Sequence, residues 1–267
     1  MIIRNTKTGE LVLVPQTEHS KLVGQLAAQW GNGYFAAPAP FASVVRAATF
    51  HDFGWIPYES DPLFNVETGG TLHYLDVPNS PTQLKAYQDC ADWMSSIDAY
   101  SGMLVAMHRT GLWQRRYEVI EHPKAYLQPA GRLPVQRSDE VKAFIASSEA
   151  QQARVRADFD EGQVWTNYRL LQVLDLLGLY FSCQEPDDLT ITPVPVAYAV
   201  DKSEGVRLTM KPVGHNEVAF DPFPFRARGY TISLGVKRLA ERKYADAESF
   251  KAAYFQAKSD CITFTLV

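Results

Sequence analysis

Three imidazoles and two carboxylates of this 267-residue chain fall where apolar surface is expected. His19 lies in "QTEHSKLVGQLAAQWGNG", on the helical face marked by Leu22, Val23, Leu26, Ala27 and Trp30. The run "AATFHDFGW" closes an apolar helix with His51-Asp52, just before Gly54. His108 continues the spacing of Trp93, Ile97, Tyr100 and Leu104. Asp175, in "LLQVLDLLGLYF", aligns with Val164, Tyr168, Leu171 and Leu179. Taken singly, each is more simply a hydrogen-bonded core residue. Taken together, several uncompensated His and Asp groups in one interior are costly. A divalent metal removes that conflict, because neutral imidazoles and carboxylates then share a cation.

His19 in "EHSKLV", His51-Asp52 in "AATFHDFG" and Asp175 in "LLQVLDLLGLYF" resemble the H…HD…D signature of the HD superfamily of metal-dependent phosphohydrolase-like proteins. The resemblance covers roughly residues 15 to 182. With its N-terminal hairpin and β-rich tail, the chain is more closely similar to an uncharacterised bacterial family of HD-like proteins, which brings no activity with it. The resemblance implies a helical bundle holding one or two divalent ions (Mn, Fe, Mg, Ni, Co or Zn). His19, His51, Asp52 and Asp175 would bind the first, and His73 and His108 a second. Asp52 and His108 would be the catalytic groups.

The sequence departs from the family pattern at Trp55, where many phosphohydrolase members carry a lysine that meets phosphate. Trp55 makes the expected pocket more apolar, and Tyr58 and Glu59 follow closely enough to line it. Lys21, Arg46, Arg109 and Arg169 are candidate anion contacts, although each also fits an ordinary exposed helix position. His122 precedes a proline in a polar stretch, and His215 sits in "VGHNEV"; both read as loop residues. The implied activity is hydrolysis of a phosphoester of a small molecule, with a nucleotide suggested by analogy alone. The alternatives are a di-iron oxygenase and a non-catalytic metal-binding or regulatory module.

The elements that must position these residues are mostly helical. The patterns predict helices ending near Trp30, over about Phe41 to His51, Thr82 to Thr110, Ser138 to Phe159, and through Asp175. Residues 56 to 81, rich in proline and with a hairpin signal at Gly69-Gly70, form a long connection expected to cover the site with His73 facing inward. "MIIRNTKTGELVLV" reads as a β-hairpin, and β-branched runs begin near Leu189. The expected fold is therefore mainly α: an HD-type helical bundle with an N-terminal β-hairpin over residues 1–188, and a β-rich extension over 189–267 packed on the same domain. Strands from the two ends are expected in one sheet.

Composition narrows the function classes. A net charge of −4 gives no electrostatic case for nucleic acid or an anionic membrane surface. Cys90, Cys183 and Cys261 are sparse and unclustered, which argues against a secreted disulfide framework and a zinc ribbon. No apolar run reaches the ~20 residues of a membrane span, and the first residues lack a signal-peptide pattern. A cytoplasmic location is the expectation. Phosphate loops, dinucleotide fingerprints and nucleophile elbows are absent from the sequence.

Overall fold

The computed structural model describes residues 1–127, 137–197 and 205–267. Strands β1 (Ile2–Arg4) and β2 (Leu11–Val14) form a hairpin, with Gly9 in the left-handed region at φ 74°. Pro15 stops β2 and begins α1 (Gln16–Gln29), whose N–H groups need no proline donor at that point. Helix α2 (Phe41–Phe50) packs on α1. The short α3 (Ile56–Ser60) and the two-residue strands β3 (Phe64–Asn65) and β4 (Gly70–Thr71) follow. Then come α4 (Pro81–Ile97), α5 (Ala99–Trp113), α6 (Asp139–Arg156) and α7 (Glu161–Cys183). The last part contains β5 (Leu189–Val194), β6 (Val206–Gly214), β7 (Glu217–Asp221), β8 (Tyr230–Leu239), α8 (Ala247–Gln256) and β9 (Ser259–Leu266).

The expectation of a mainly helical HD-type bundle is corrected here. Helices make up half of the structure, and seven strands join in one curled mixed sheet, giving a mixed α/β fold. The strand order is β1-β2-β8-β9-β7-β6-β5, antiparallel except for the β7–β9 pair. Leu11 pairs with Leu239, so strands from the two halves of the chain are neighbours. The alternation in "GYTISLGVKRL" marks a strand locally. Its long-range pairing makes the sheet a full layer rather than a decoration. One apolar cluster contains Leu22 and Leu177 from the helices together with Ile232 and Phe264 from the sheet.

A second correction concerns the long helix expected from Thr82 to Thr110. The chain breaks at Asp98, an extended residue that ends α4 and caps α5. Its carboxylate accepts from the backbone N–H of Tyr100 (2.9 Å) and Ser101 (3.2 Å) and from the Ser43 hydroxyl (2.6 Å), and it pairs with Arg46. Asp competes well for free N–H groups at a helix start, and that local bonding outweighs continuation of the apolar stripe. Accordingly Trp93 and Ile97 are exposed, at 47% and 54%, while Tyr100, Leu104 and His108 are buried. No helix among the described residues is long and apolar enough to cross a membrane.

Candidate metal centre

Helix α1 brings its second turn against the middle of α7. That approach depends on Gly178, where a Cβ would lie 2.4 Å from Val23 Cγ2 and 2.7 Å from His19 Cε1. With the glycine in place, the His19 ring lies over two turns of α7. Its Nε2 is 2.9 Å from Asp175 Oδ1 and its Nδ1 3.3 Å from Ser182 Oγ. Asp175, Gly178 and Ser182 are three and seven residues along one helical face, so a single stripe supplies a carboxylate, a gap and a hydroxyl.

Helix α2 ends at Phe50, and the next two residues turn inward. His51 Nδ1 lies 2.8 Å from the Ala48 carbonyl and 3.0 Å from Ser20 Oγ, which itself donates to the Thr49 carbonyl at 2.8 Å. The carbonyl requires a proton on Nδ1, so a neutral His51 points the lone pair of Nε2 into the interior. There Nε2 is 3.6 Å from Asp52 Oδ2 and 3.5 Å from Asp175 Oδ1. From α5, His108 Nε2 comes within 3.5 Å of Asp52 Oδ1, while its Nδ1 is 2.6 Å from the Tyr117 hydroxyl.

His19, His51 and Asp175 therefore form one group of possible ligands, and His51, Asp52 and His108 another; in each, one ligand atom per residue lies within 4.8 Å of the others. The five residues are between 0% and 6% exposed. At that burial, each negative oxygen must be matched by a cation or a donor.

The electrostatics show what the cluster lacks. Burial lowers the proton affinity of His51, but Asp52 and then Asp175 overrule it and raise the pKa to about 9. Burial pushes the Asp52 carboxyl up, while His51 and His108 bring it below its ordinary value. Asp175 is held well below the usual carboxylate range against burial, first by its hydrogen bond with His19 and then by the His51 imidazole beside it. Burial drives His108 the other way, toward neutral imidazole. The carboxylates stay charged, and protons must supply the balancing positive charge. His51 Nε2, buried among carboxylate oxygens, makes no well-formed hydrogen bond. A divalent cation fits this donor set, with neutral imidazoles and two carboxylates facing one point.

The centre forms the floor of a cavity of about 230 Å³. Asp52, His108 and Asp175 line it from below, and Trp55 forms one wall. Residues 74–79 of the long connection close part of the rim. Arg109 is the one Arg or Lys among the described lining residues. Its guanidinium lies between the Tyr87 ring (3.9 Å) and the Trp113 ring (4.1 Å), and Nη2 donates to Asn79 Oδ1 at 3.3 Å. No carboxylate pairs with it among the described residues, and its buried Nε has no partner. Gln16 Oε1 and Gln83 Oε1, also on the lining, are buried without donors.

The remaining candidates from the sequence separate. His73 is outside both ligand groups; its Nδ1 accepts the Leu75 N–H at 3.3 Å and its ring tilts against Tyr74. Tyr74, not His73, reaches the cavity. Tyr58 stands behind Trp55, with its hydroxyl 3.1 Å from Ser80 Oγ. Glu59 turns away to accept from Thr17 N (3.1 Å) and Thr17 Oγ1 (2.6 Å) at the start of α1. Arg46 is held by Asp98, and Lys21 pairs with Glu18. Arg169 lines a different cavity. Gln16, Gln83, Tyr117 and Ser182 escaped the sequence reading. Gln16 begins an apolar-faced helix three residues before His19 and Ser182 lies seven after Asp175; those spacings were the available signals.

A family model whose description is "Protein of unknown function (DUF3891)" matches residues 1–241. No curated protein and no solved structure matches the chain.

Proposed function

We propose a function for this chain, which belongs to the DUF3891 family, from its site alone: metal-dependent hydrolysis of a small phosphoester. The observation that carries the reading is the five-residue His/Asp centre sharing one cavity with Arg109, a buried cation in contact with no carboxylate among the described residues. An isolated buried guanidinium is expensive unless an anion joins it, and its planar donors suit phosphate oxygens. The HD likeness enters through the ligand order His, His-Asp, Asp.

His19, His51, Asp52, His108 and Asp175 would hold the ion. An imidazole-rich set suits Mn, Fe, Co, Ni or Zn better than Mg. Bound there, a divalent ion supplies Lewis acidity toward water and a phosphoryl oxygen. The chain's own residues do the rest. Arg109, held in place by two rings, binds and orients the phosphoryl group. The Tyr117 hydroxyl, 2.6 Å from His108 Nδ1, anchors the ring, so Nε2 keeps its direction toward Asp52. Asp52, with one oxygen toward Gln16 Nε2 at 3.4 Å, is placed to orient a water or take its proton. Trp55 and the 74–79 segment limit water access. Gln16 Oε1 and Gln83 Oε1 would accept hydrogen bonds from hydroxyl or amino groups of the alcohol portion. The cavity is below the ~300 Å³ at which drug-sized sites begin, which favours a compact substrate.

The test is elemental analysis of protein purified without chelator, followed by assay on small phosphomonoesters. At least one transition-metal ion per chain is expected, with hydrolysis abolished by chelation. Arg109→Gln should keep its metal and lose roughly 100-fold in kcat/KM, the size of one oriented charge contact in a transition state. Full activity in Asp175→Asn, or metal-free protein that hydrolyses as well as loaded protein, would reject the reading. Iron-loaded protein that consumes dioxygen and turns over no phosphoester would move the site to oxidative chemistry.

A further inference from the structure

Arg115-Arg116 is the densest basic pair in the sequence, and the proposed chemistry makes no use of it. The pair leads into a second cavity, of about 220 Å³, between the end of α5 and the start of α7. It shares no lining residue with the cavity above the His/Asp centre. Arg115 is held at φ 59°, a left-handed conformation that costs a non-glycine residue of order 1 kcal/mol and turns the chain sharply there. Arg116 lies over the Trp165 ring at 5.3 Å. Glu118 pairs with Arg115, and Glu149 takes Arg116 Nη2 at 2.9 Å. Arg116 Nη1 remains buried without a partner.

Two further polar groups of the cavity, Gln172 and Tyr168, share one property. Gln172, 1% exposed, presents Nε2 with no acceptor. The Tyr168 hydroxyl, 2% exposed as a residue, has the Arg116 and Gln172 side chains directed at its oxygen, but none of these contacts is a well-formed hydrogen bond. The unsatisfied atoms are donors or can donate, and no carboxylate is among the described lining residues. An unmet buried donor costs about 1–3 kcal/mol. Arg116 Nη1, Gln172 Nε2 and the Tyr168 hydroxyl belong to residues that line one space, and a ligand that is all acceptor would meet them together.

We propose that this cavity binds an oxyanion, the phosphate group of a small molecule or free inorganic phosphate, with Arg116, Tyr168 and Gln172 as its donors. A phosphate brings acceptor oxygens on every side, which suits donors that approach from different elements. The Trp165 face closes one side and lies against the guanidinium. The inference is independent of the hydrolase reading, since no residue of the His/Asp centre takes part. The site is nonetheless close to that centre: Gln172 is one turn before Asp175, and Tyr117, next to Arg116, bonds to His108.

The experiment uses the full chain with its metal removed by chelation. Inorganic phosphate and, separately, glycerol phosphate are titrated at fixed ionic strength. Heat gives the affinity, and the indole N–H resonance of Trp165, assigned with Trp165→Phe, gives the location. Saturable binding that moves this resonance is expected, at least tenfold weaker in Arg116→Gln and in Gln172→Leu. Tighter binding of glycerol phosphate identifies an esterified ligand, and tighter binding of inorganic phosphate the free ion; either supports the site. Melting curves check that the variants fold, and if Arg116→Gln does not, Gln172→Leu decides. No saturable binding of either anion, a Trp165 shift that disappears in Arg109→Gln, or undiminished binding in the folded variants would overturn the proposal.

Discussion

His51 is the residue on which the charge balance of the centre turns. Its Nδ1 is committed to the Ala48 carbonyl and its Nε2 faces two carboxylates. In metal-free protein the folded pKa of about 9 lies above the ordinary histidine value of ~6.5. A raised pKa contributes stability that is fully present below pH ~6.5 and is lost as pH rises through about 9. The melting temperature of chelated protein should therefore decline across that window, while loaded protein should hold. An incoming ion must displace the same proton, so its affinity should climb with pH and level off near 9. Calorimetric titration of zinc or manganese at several pH values checks this; a flat profile would show that His51 carries no proton to displace. Tyr117→Phe removes the partner of His108 Nδ1 and should weaken metal affinity or activity by about 10–100-fold without unfolding the chain. All five residues of the centre stand out in the sequence, because an ionisable side chain on an apolar stripe contradicts its surroundings. Tyr117 and Gln16 do not, since a tyrosine or glutamine near a helix end contradicts nothing.

Elements position the centre through close approach. Gly178→Ala would place a methyl group 2.4 Å from Val23 Cγ2 and 2.7 Å from the His19 ring. Overpacking of this kind costs about 1–3 kcal/mol, and the displaced ring should weaken metal binding in the same variant. A melting temperature and metal content equal to wild type would show that α1 and α7 can slide apart freely. Asp98→Ala removes the cap of α5 together with the contacts to Ser43 and Arg46, and a loss of about 1–2 kcal/mol in denaturant unfolding is expected. Helix periodicity made α1, α2 and α7 legible. It failed across Asp98 because the 3.6-residue stripe continues in register through the break, while the hydrogen bonds that make the break are chosen by one side chain. The cover over the site was legible as a long connection; that Tyr74 rather than His73 reaches the cavity depends on how a three-residue turn is oriented.

At the scale of the molecule, strands from the two ends of the chain share one sheet, as expected, and the sheet is a larger part of the fold than the sequence suggests. Strands were visible after Leu189 by their alternation, yet nothing local records that Leu11 pairs with Leu239. Pairing of that kind is settled by the whole core, in which Leu22 and Leu177 pack with Ile232 and Phe264. A chain cut after residue 188 would leave β2 without β8 and strip the sheet side from that cluster. It is expected to show weak near-ultraviolet circular dichroism and no cooperative melting. A cooperative transition in that fragment would show that the helices suffice.

The β2–β8 pairing also sets an order of events during synthesis. Every residue of the His/Asp centre, up to Asp175, is made before Ile232 and Leu239, so the nascent chain carries its whole polar cluster while the opposite side of the core is still missing. Contacts so distant in sequence form slowly, because the loop between them must close first. Helix α1, which carries His19, packs on β8, so it lacks that backing for as long as the ribosome takes to reach β8. The geometry of the centre is therefore set only when the last third of the chain has been made.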